Sequence, residues 1–232
     1  MKWNRIGIGK RLIISGKYRK AKKMLRPIAE NGNADAQYML GYLYYGGDSE
    51  TNSKDAKYWL TKAAKQGHPD ALAEIAATDF KFGGWSTTPE TPRGIKQLEK
   101  AAKKGSADAQ RNLACTYAVG EAVNTDLEKA AYWYTKAAKQ GHAEAQNDIA
   151  GMWLDGEAGS IDLEQAIYWY KKCAALDKNV PYAQWAAEAL SNIYGGKFYD
   201  SHNDKSKEKH WKSRAKYLSK IKFRAYPDWF YE

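Results

Sequence analysis

The chain has 232 residues, of which 44% are apolar and 28% charged, so it can bury a sizeable core while carrying a formal net charge of +10. Its two cysteines, Cys115 and Cys173, lack paired-ligand spacing, which argues against a disulfide framework or a zinc site and points to a reducing compartment, with the cytoplasm as the expected location. No run of about 18 apolar residues predicts a membrane-spanning helix, and Ile6-Gly7-Ile8-Gly9 is cut off by Lys10 and Arg11 too early for the hydrophobic part of a signal peptide.

Charge is unevenly placed. Residues 1–32 hold 10 basic side chains against one acid, net +9; residues 33–196 are net −4 and residues 197–232 net +5. This division is taken as the domain plan: a basic N-terminal half-repeat or cap at 1–32, a repeat array at 33–196, and a basic C-terminal cap with an aromatic tail at 197–232. Basic ends keep the ends of a stack soluble. They also offer attraction to an acidic protein surface or, on net charge alone, to nucleic acid.

In chain order, Ala21, Leu25, Ala29 and Gly32 each stand 35 positions before Ala56, Leu60, Ala64 and Gly67. The array therefore opens on a half or shortened unit, in which Pro27 is expected to kink the helix or start it late. The first complete unit begins at Ala34-Asp35-Ala36-Gln37, passes Leu40-Gly41, Tyr44 and Gly46-Gly47, and continues as Ala56–Gln66. Counting from Ala36, offsets 0, +4, +5 and +8 are small or apolar and cover one helix face. The same offsets give Ala109, Leu113, Ala114 and Tyr117, then Ala145, Ile149, Ala150 and Trp153. A second helix presents Ala56, Trp59, Leu60, Ala63 and Ala64 as an amphipathic stripe. Small residues let the helices approach, while Tyr and Trp fill the space between units.

The segment Thr61–His68 recurs intact at Thr135–His142. A period in the thirties predicts stacked helical hairpins. The pattern Ala-x-Ala-Gln, Leu-Gly, Tyr, a glycine loop, Ala, an aromatic pair, then Lys-Ala-Ala and Gly resembles the Sel1-like repeats, a branch of the tetratricopeptide-type hairpins, over residues 16–196. The fold class implied is an all-α, right-handed α-solenoid of about five hairpins. The second unit departs from the pattern, with Asp79 for the tyrosine, a loop at Gly83–Pro92, and Lys96-Gln97 for the aromatic pair; Leu176–Ala183 inserts extra residues. Lys197–Lys209 reads as loop, and Lys212–Phe223 as a capping helix with Tyr217, Leu218 and Ile221 inward. The tail Ala225–Glu232, with Tyr226, Trp229, Phe230 and Tyr231, either folds back on the last repeat or awaits a partner.

The residues that invite chemistry have a simpler role. His68 and His142 occupy the place held by Asn33 and Ser106 after a glycine, so they read as caps of the next helix. Asp35, Asp70, Asp108 and Glu144 fall in first turns, where a negative charge suits the helix dipole. Neither cysteine has a base nearby, Cys173 reading as a small core residue. His202 and His210 lack ligand-like companions, and the glycines form no phosphate-cradling loop. No catalytic residue, metal, cofactor or small-molecule substrate is expected.

What remains is surface. Offsets +2, +6 and +9 on the first helices point away from the packing stripe and differ between units. They supply the candidate partner-binding residues Tyr38, Tyr42, Tyr45, Phe80, Arg111, Asn147, Leu154, Glu188 and Asn192, centred on the tyrosine cluster with Arg111. The competing view is that the basic N-terminal half-repeat covers the tyrosines. The resemblance implies a scaffold that holds a protein partner on its concave face. Sel1-like proteins act as adaptors, and some small bacterial ones look like immunity proteins that neutralise a toxin or secreted effector. The alternative is an anionic surface or nucleic acid held through residues 1–26 and 205–224, a partner that net charge alone supports weakly.

Overall fold

The structure, a computed structural model, describes residues 5–45, 53–78, 92–120, 123–176, 180–198 and 202–221. Among them are twelve α-helices: α1 (Arg5–Ile14), α2 (Tyr18–Glu30), α3 (Ala34–Tyr45), α4 (Ser53–Lys65), α5 (Pro69–Thr78), α6 (Pro92–Lys103), α7 (Ala107–Val119), α8 (Leu127–Lys139), α9 (Ala143–Asp155), α10 (Leu163–Ala174), α11 (Val180–Tyr194) and α12 (Lys205–Leu218). They fall into two compact units, Met1–Thr116 and Tyr117–Glu232. The boundary lies inside α7, so the units divide the chain differently from its charge, and the basic C-terminal helix belongs to the second unit's packing.

In the first unit each helix from α1 to α6 packs on the next in the chain, and α1 also reaches α3. In the second, α8 to α12 pack in the same serial fashion, with α9 touching α11 across one hairpin. Small residues make this possible. Ala36, Ala109, Ala145, Ala21, Ala130 and Ala166 are all fully buried at recurring positions. Leu25, Leu40, Leu98, Leu113, Ile149 and Leu190 fill the remaining volume. A Cβ on Gly41 would sit 2.6 Å from Leu60 Cγ, so the glycine is what lets α3 and α4 approach.

The hairpins are joined by a device used four times among the described residues. The glycine after the second helix takes the left-handed conformation, φ +82° at Gly67 and +90° at Gly141, and the N–H of the residue after it returns to a carbonyl five residues back: His68 N to Ala63 O at 3.1 Å, His142 N to Ala137 O at 3.3 Å. That same residue then caps the following helix. Asn33 Oδ1 accepts from Ala36 N at 2.9 Å, His68 Nδ1 from Ala71 N at 3.3 Å, Ser106 Oγ from Ala109 N at 3.2 Å, and His142 Nδ1 from Ala145 N at 3.2 Å. The cap role expected of both histidines is what the geometry shows.

The glutamine of Ala-x-Ala-Gln completes the joint. Gln37, Gln110 and Gln146 are buried and donate through Nε2 to the carbonyls of Ala29, Ala102 and Ala138 at 2.9, 3.0 and 3.1 Å. Each is a further donor to a last-turn carbonyl that also accepts from the joint glycine, the N–H of Gly32, Gly105 or Gly141. Within the hairpins of the second unit an aspartate does the corresponding work. Asp126, Asp162 and Asp204 donate their backbone N–H to the carbonyls of Tyr117, Trp153 and Tyr194. Their carboxylates accept from the first-turn amides of Lys129, Gln165 and both Ser206 and Lys207.

Three expectations are corrected. Helix α2 starts at Tyr18 and runs through Pro27; the proline lies near the helix end, and the donor it removes belongs to an exposed turn. The C-terminal helix begins at Lys205 rather than Lys212, because Asp204 caps it through two amides. In it Leu218 is fully buried, but Tyr217 is 55% exposed rather than inward. Of the Gly83–Pro92 loop, residues 83–91 lie outside the described residues, as does the Ala225–Glu232 tail, while Pro92 opens α6.

Replacing Gln146 by alanine removes one donor to the Ala138 carbonyl and leaves the Gly141 N–H on it at 3.0 Å. We expect a loss of about 0.5–1.5 kcal/mol in the second unit, measured as a lower thermal midpoint, against little change for the exposed Gln165→Ala.

Candidate protein-binding surfaces

Residues Tyr38, Tyr42 and Tyr45 do share a face of α3, but they are not equally available. Tyr38 is 2% exposed. Its ring stacks on that of His68, with centroids 4.6 Å apart and planes at 26°, and His68 Nε2 lies 3.4 Å from Asp35 Oδ1. The histidine that caps α5 thus also covers Tyr38, which takes this tyrosine out of the surface. Tyr42 is half-buried and Tyr45 is 57% exposed.

The basic N-terminal helix does reach a tyrosine of α3, but a different one. Arg26 Nη2 donates to Tyr44 Oη at 3.0 Å, and Lys22 Nζ stands 4.6 Å from the centre of the same ring. Helix α2 therefore clasps the packing-stripe tyrosine at offset +8. Arg111 is half-buried on α7 of the same unit, and Phe80 lies outside the described residues. In the second unit Asn147 is half-buried on α9, whereas Leu154 is 8% exposed and belongs to the core. Glu188 is exposed and Asn192 half-buried on α11. These two come together in one groove of about 330 Å³, lined from α12 by Lys212 and Lys216.

Sequence reasoning missed two surface features. One is that groove's α12 wall. The other is the outward half of the aromatic pair on the second helices: Tyr58, Tyr132 and Tyr168 are 51%, 52% and 49% exposed. Each meets its neighbouring tryptophan edge-on at 4.9–5.0 Å, and each lies under the lysine four residues on, Lys62, Lys136 and Lys172, at 4.5, 4.7 and 5.7 Å. The packing stripe already places Trp59 inward, and it is 5% exposed; the pairing of each outward tyrosine with the lysine one turn on is not drawn from the Tyr-Trp-x-x-Lys spacing.

Among the described residues of the first unit, two ionisable groups are perturbed. Burial pushes the Glu74 carboxyl up to about 7, with Asp108 and then Asp70 adding their negative charge. Burial lowers the His68 imidazole below its ordinary value, against the opposing pull of Asp35. Among the described residues no group of three or more His, Cys, Asp or Glu gathers as metal ligands. Cys173 is buried with Sγ 3.4 Å from Ala143 O, as a core residue would be. His202 Nε2 stands 3.1 Å from Glu164 Oε1, and His210 packs edge-on to Trp211.

Comparison with known proteins agrees with this geometry. The Sel1 repeat family model matches residues 34–68, 107–142 and 143–178. A Sel1 repeat protein from Oxalobacter formigenes superposes with a TM-score of 0.74 at 25% identity, covering 92% of this chain and 86% of that one. Immunity protein Pa5087 from Pseudomonas aeruginosa has the same fold, with a TM-score of 0.61 at 18% identity over 95% and 85% of the two chains. The Sel1-repeat-containing protein YjcO of Escherichia coli K12 is 27% identical over 124 residues, 52% of this chain and 53% of that protein. The chain spans about half, or less, of the curated relatives it matches. No helix among the described residues is long and apolar enough to cross a membrane.

Because the folded Glu74 carboxyl titrates above its ordinary value, it favours the native state below about pH 4.5, and that advantage is lost as pH rises towards 7. His68 acts in the opposite sense: its contribution is intact above its ordinary 6.5 and is lost as pH falls towards the depressed folded value. Glu74→Gln should therefore raise the thermal midpoint at pH 8 and leave it nearly unchanged at pH 4; melts at both pH values check this. Taken together, the recurring joints, the serial packing of hairpins and the three matched segments, just under half of the chain, make residues 34–68, 107–142 and 143–178 Sel1-like repeats.

Proposed function

We propose that the chain is a non-catalytic scaffold that holds a protein partner on its first-helix faces. The observation that carries this is a division of labour between positions. On the first helices, residues that recur among the repeats are consumed by packing and joints, whereas Tyr42, Tyr45, Arg111, Asn147, Glu188 and Asn192 differ between repeats and keep some or most of their surface. Tyrosine and arginine concentrate binding energy because they join a large apolar or planar area to a polar tip. Each unit offers its own share of these residues: Tyr42, Tyr45 and Arg111 in the first, the other three in the second.

The finer reading is that the partner is a toxin or secreted effector that the chain neutralises. It is supported by the shared fold with immunity protein Pa5087 of Pseudomonas aeruginosa, and it is an analogy of fold. Adaptor and neutraliser share one mechanism at this level: rigid helices present pre-organised side chains, so little ordering entropy opposes association.

Affinity capture with the full chain, followed by mass spectrometry, tests the reading. Wild type should enrich a defined protein. Tyr42→Ala, Tyr45→Ala and Arg111→Ala combined should reduce its recovery at least about tenfold, while circular dichroism stays unchanged. Enrichment of nucleic acid alone, or equal recovery by the triple variant, would reject it. For neutralisation, the captured protein should arrest growth when expressed alone and lose that effect when the chain is co-expressed.

A further inference from the structure

Between Asp204 and Lys220 stand seven Lys or Arg and two acids. Three of the seven cations have local partners. Lys205 pairs with Glu208 at 3.1 Å, Lys207 with Asp204 at 3.1 Å, and Arg214 Nε donates to Ala174 O at 3.1 Å, closing the end of α10. The other four, Lys209, Lys212, Lys216 and Lys220, are all exposed. Their spacing of i, i+3, i+7 and i+11 puts them on one side of the helix and the turn after it, away from the buried Ala215 and Leu218. The stripe is about 16 Å long at 1.5 Å per residue. The two acids of this segment are already engaged by Lys205 and Lys207, so nothing on α12 offsets it.

The stripe borders a recess. Lys212 and Lys216 form one wall of the groove of about 330 Å³ described above, and Gln184, Glu188, Ser191 and Asn192 of α11 line the other. Gln184 Nε2 donates to Glu188 Oε1 at 3.0 Å, which orients a carboxylate beside two ammonium groups. The site thus combines a line of positive charge with amide, hydroxyl and carboxylate groups.

We propose that this edge of α11 and α12 docks an acidic peptide segment of a protein partner. Carboxylates lie along the lysine stripe, and the segment's N–H groups meet Glu188 and Asn192 in the groove. The proposal rests on the scaffold reading and supplies the chemistry of what this edge holds. Mixed polarity selects the ligand class. A peptide carries both carboxylates and N–H donors, so it can satisfy lysines and Glu188 together. A phosphodiester backbone offers no donor to Glu188 and is repelled by it. A flat lipid surface can neutralise the stripe but cannot reach the recess.

The test is fluorescence anisotropy on the full chain with a labelled peptide of about 16 residues bearing glutamate at every third or fourth position. An oligo-dT of similar length and vesicles of about 30% phosphatidylserine run in parallel. Lys212→Glu with Lys216→Glu should weaken peptide binding at least about tenfold, whereas Lys57→Glu with Lys65→Glu, on exposed positions of α4, should not. Glu188→Ala should weaken the peptide several-fold and tighten the oligonucleotide. Absence of peptide binding to wild type, indifference to the α12 reversals, or tighter binding of oligonucleotide or vesicles than of peptide would each overturn the proposal. Its failure with the Tyr42/Tyr45/Arg111 capture intact would leave the scaffold reading standing; failure of both would remove it.

Discussion

Helix ends govern this molecule. Each α-helix leaves about four amides and four carbonyls without intrahelical partners, and a chain built of short helices meets that cost again every dozen residues. Here the ends answer one another. A left-handed glycine returns the chain, the next residue caps the following helix, and a buried glutamine reaches back to a last-turn carbonyl. Inside the hairpins of the second unit a single aspartate serves both ends, its amide donating backwards and its carboxylate accepting forwards. Once these bonds are made, the angle at which successive helices meet is narrowly set, and small residues such as Ala109 and Ala145 allow close contact.

The repeat skeleton was legible from the residues because it depends on local chemistry that repeats. Glycine, cap residue, first-turn acid and alanine stripe each announce themselves, and comparison of His68 and His142 with Asn33 and Ser106 identified the joint. What was not legible depended on which neighbour reaches which side chain. Tyr38 and Tyr42 stand one helical turn apart and look equivalent in sequence, yet Tyr38 is buried under the histidine of the next joint while Tyr42 is half-buried. Leu154 was placed on the surface by its offset but is held inside. The start of α12 was missed because Asp204, one polar residue in a polar run, supplies a cap to two amides at once.

The same division separates structure from recognition. The groups that hold the stack are satisfied by partners within one or two turns of the joint, and Tyr45, Asn147 and Glu188 on α3, α9 and α11 are not among them. The perturbed carboxyl of Glu74 is an exception, being part-buried among other acids where the second hairpin departs from the pattern of its neighbours. A repeat that has lost its Gln, with Leu72 in the place of Gln37, Gln110 and Gln146, is also the one that carries this charge.

The aspartate clasp has a consequence for how such a chain can change over generations. Because Asp162 ties the end of one helix to the start of the next through its own amide and carboxylate, residues 157–161 lie outside that clasp, tied back to α9 by the bond from Ala158 N to Met152 O. Substitutions at their exposed positions alter the rim without reopening the stack. A lineage can therefore rewrite its loops and outward helix faces piecemeal, each change tested by selection on its own merits, while the architecture that displays them is inherited unchanged.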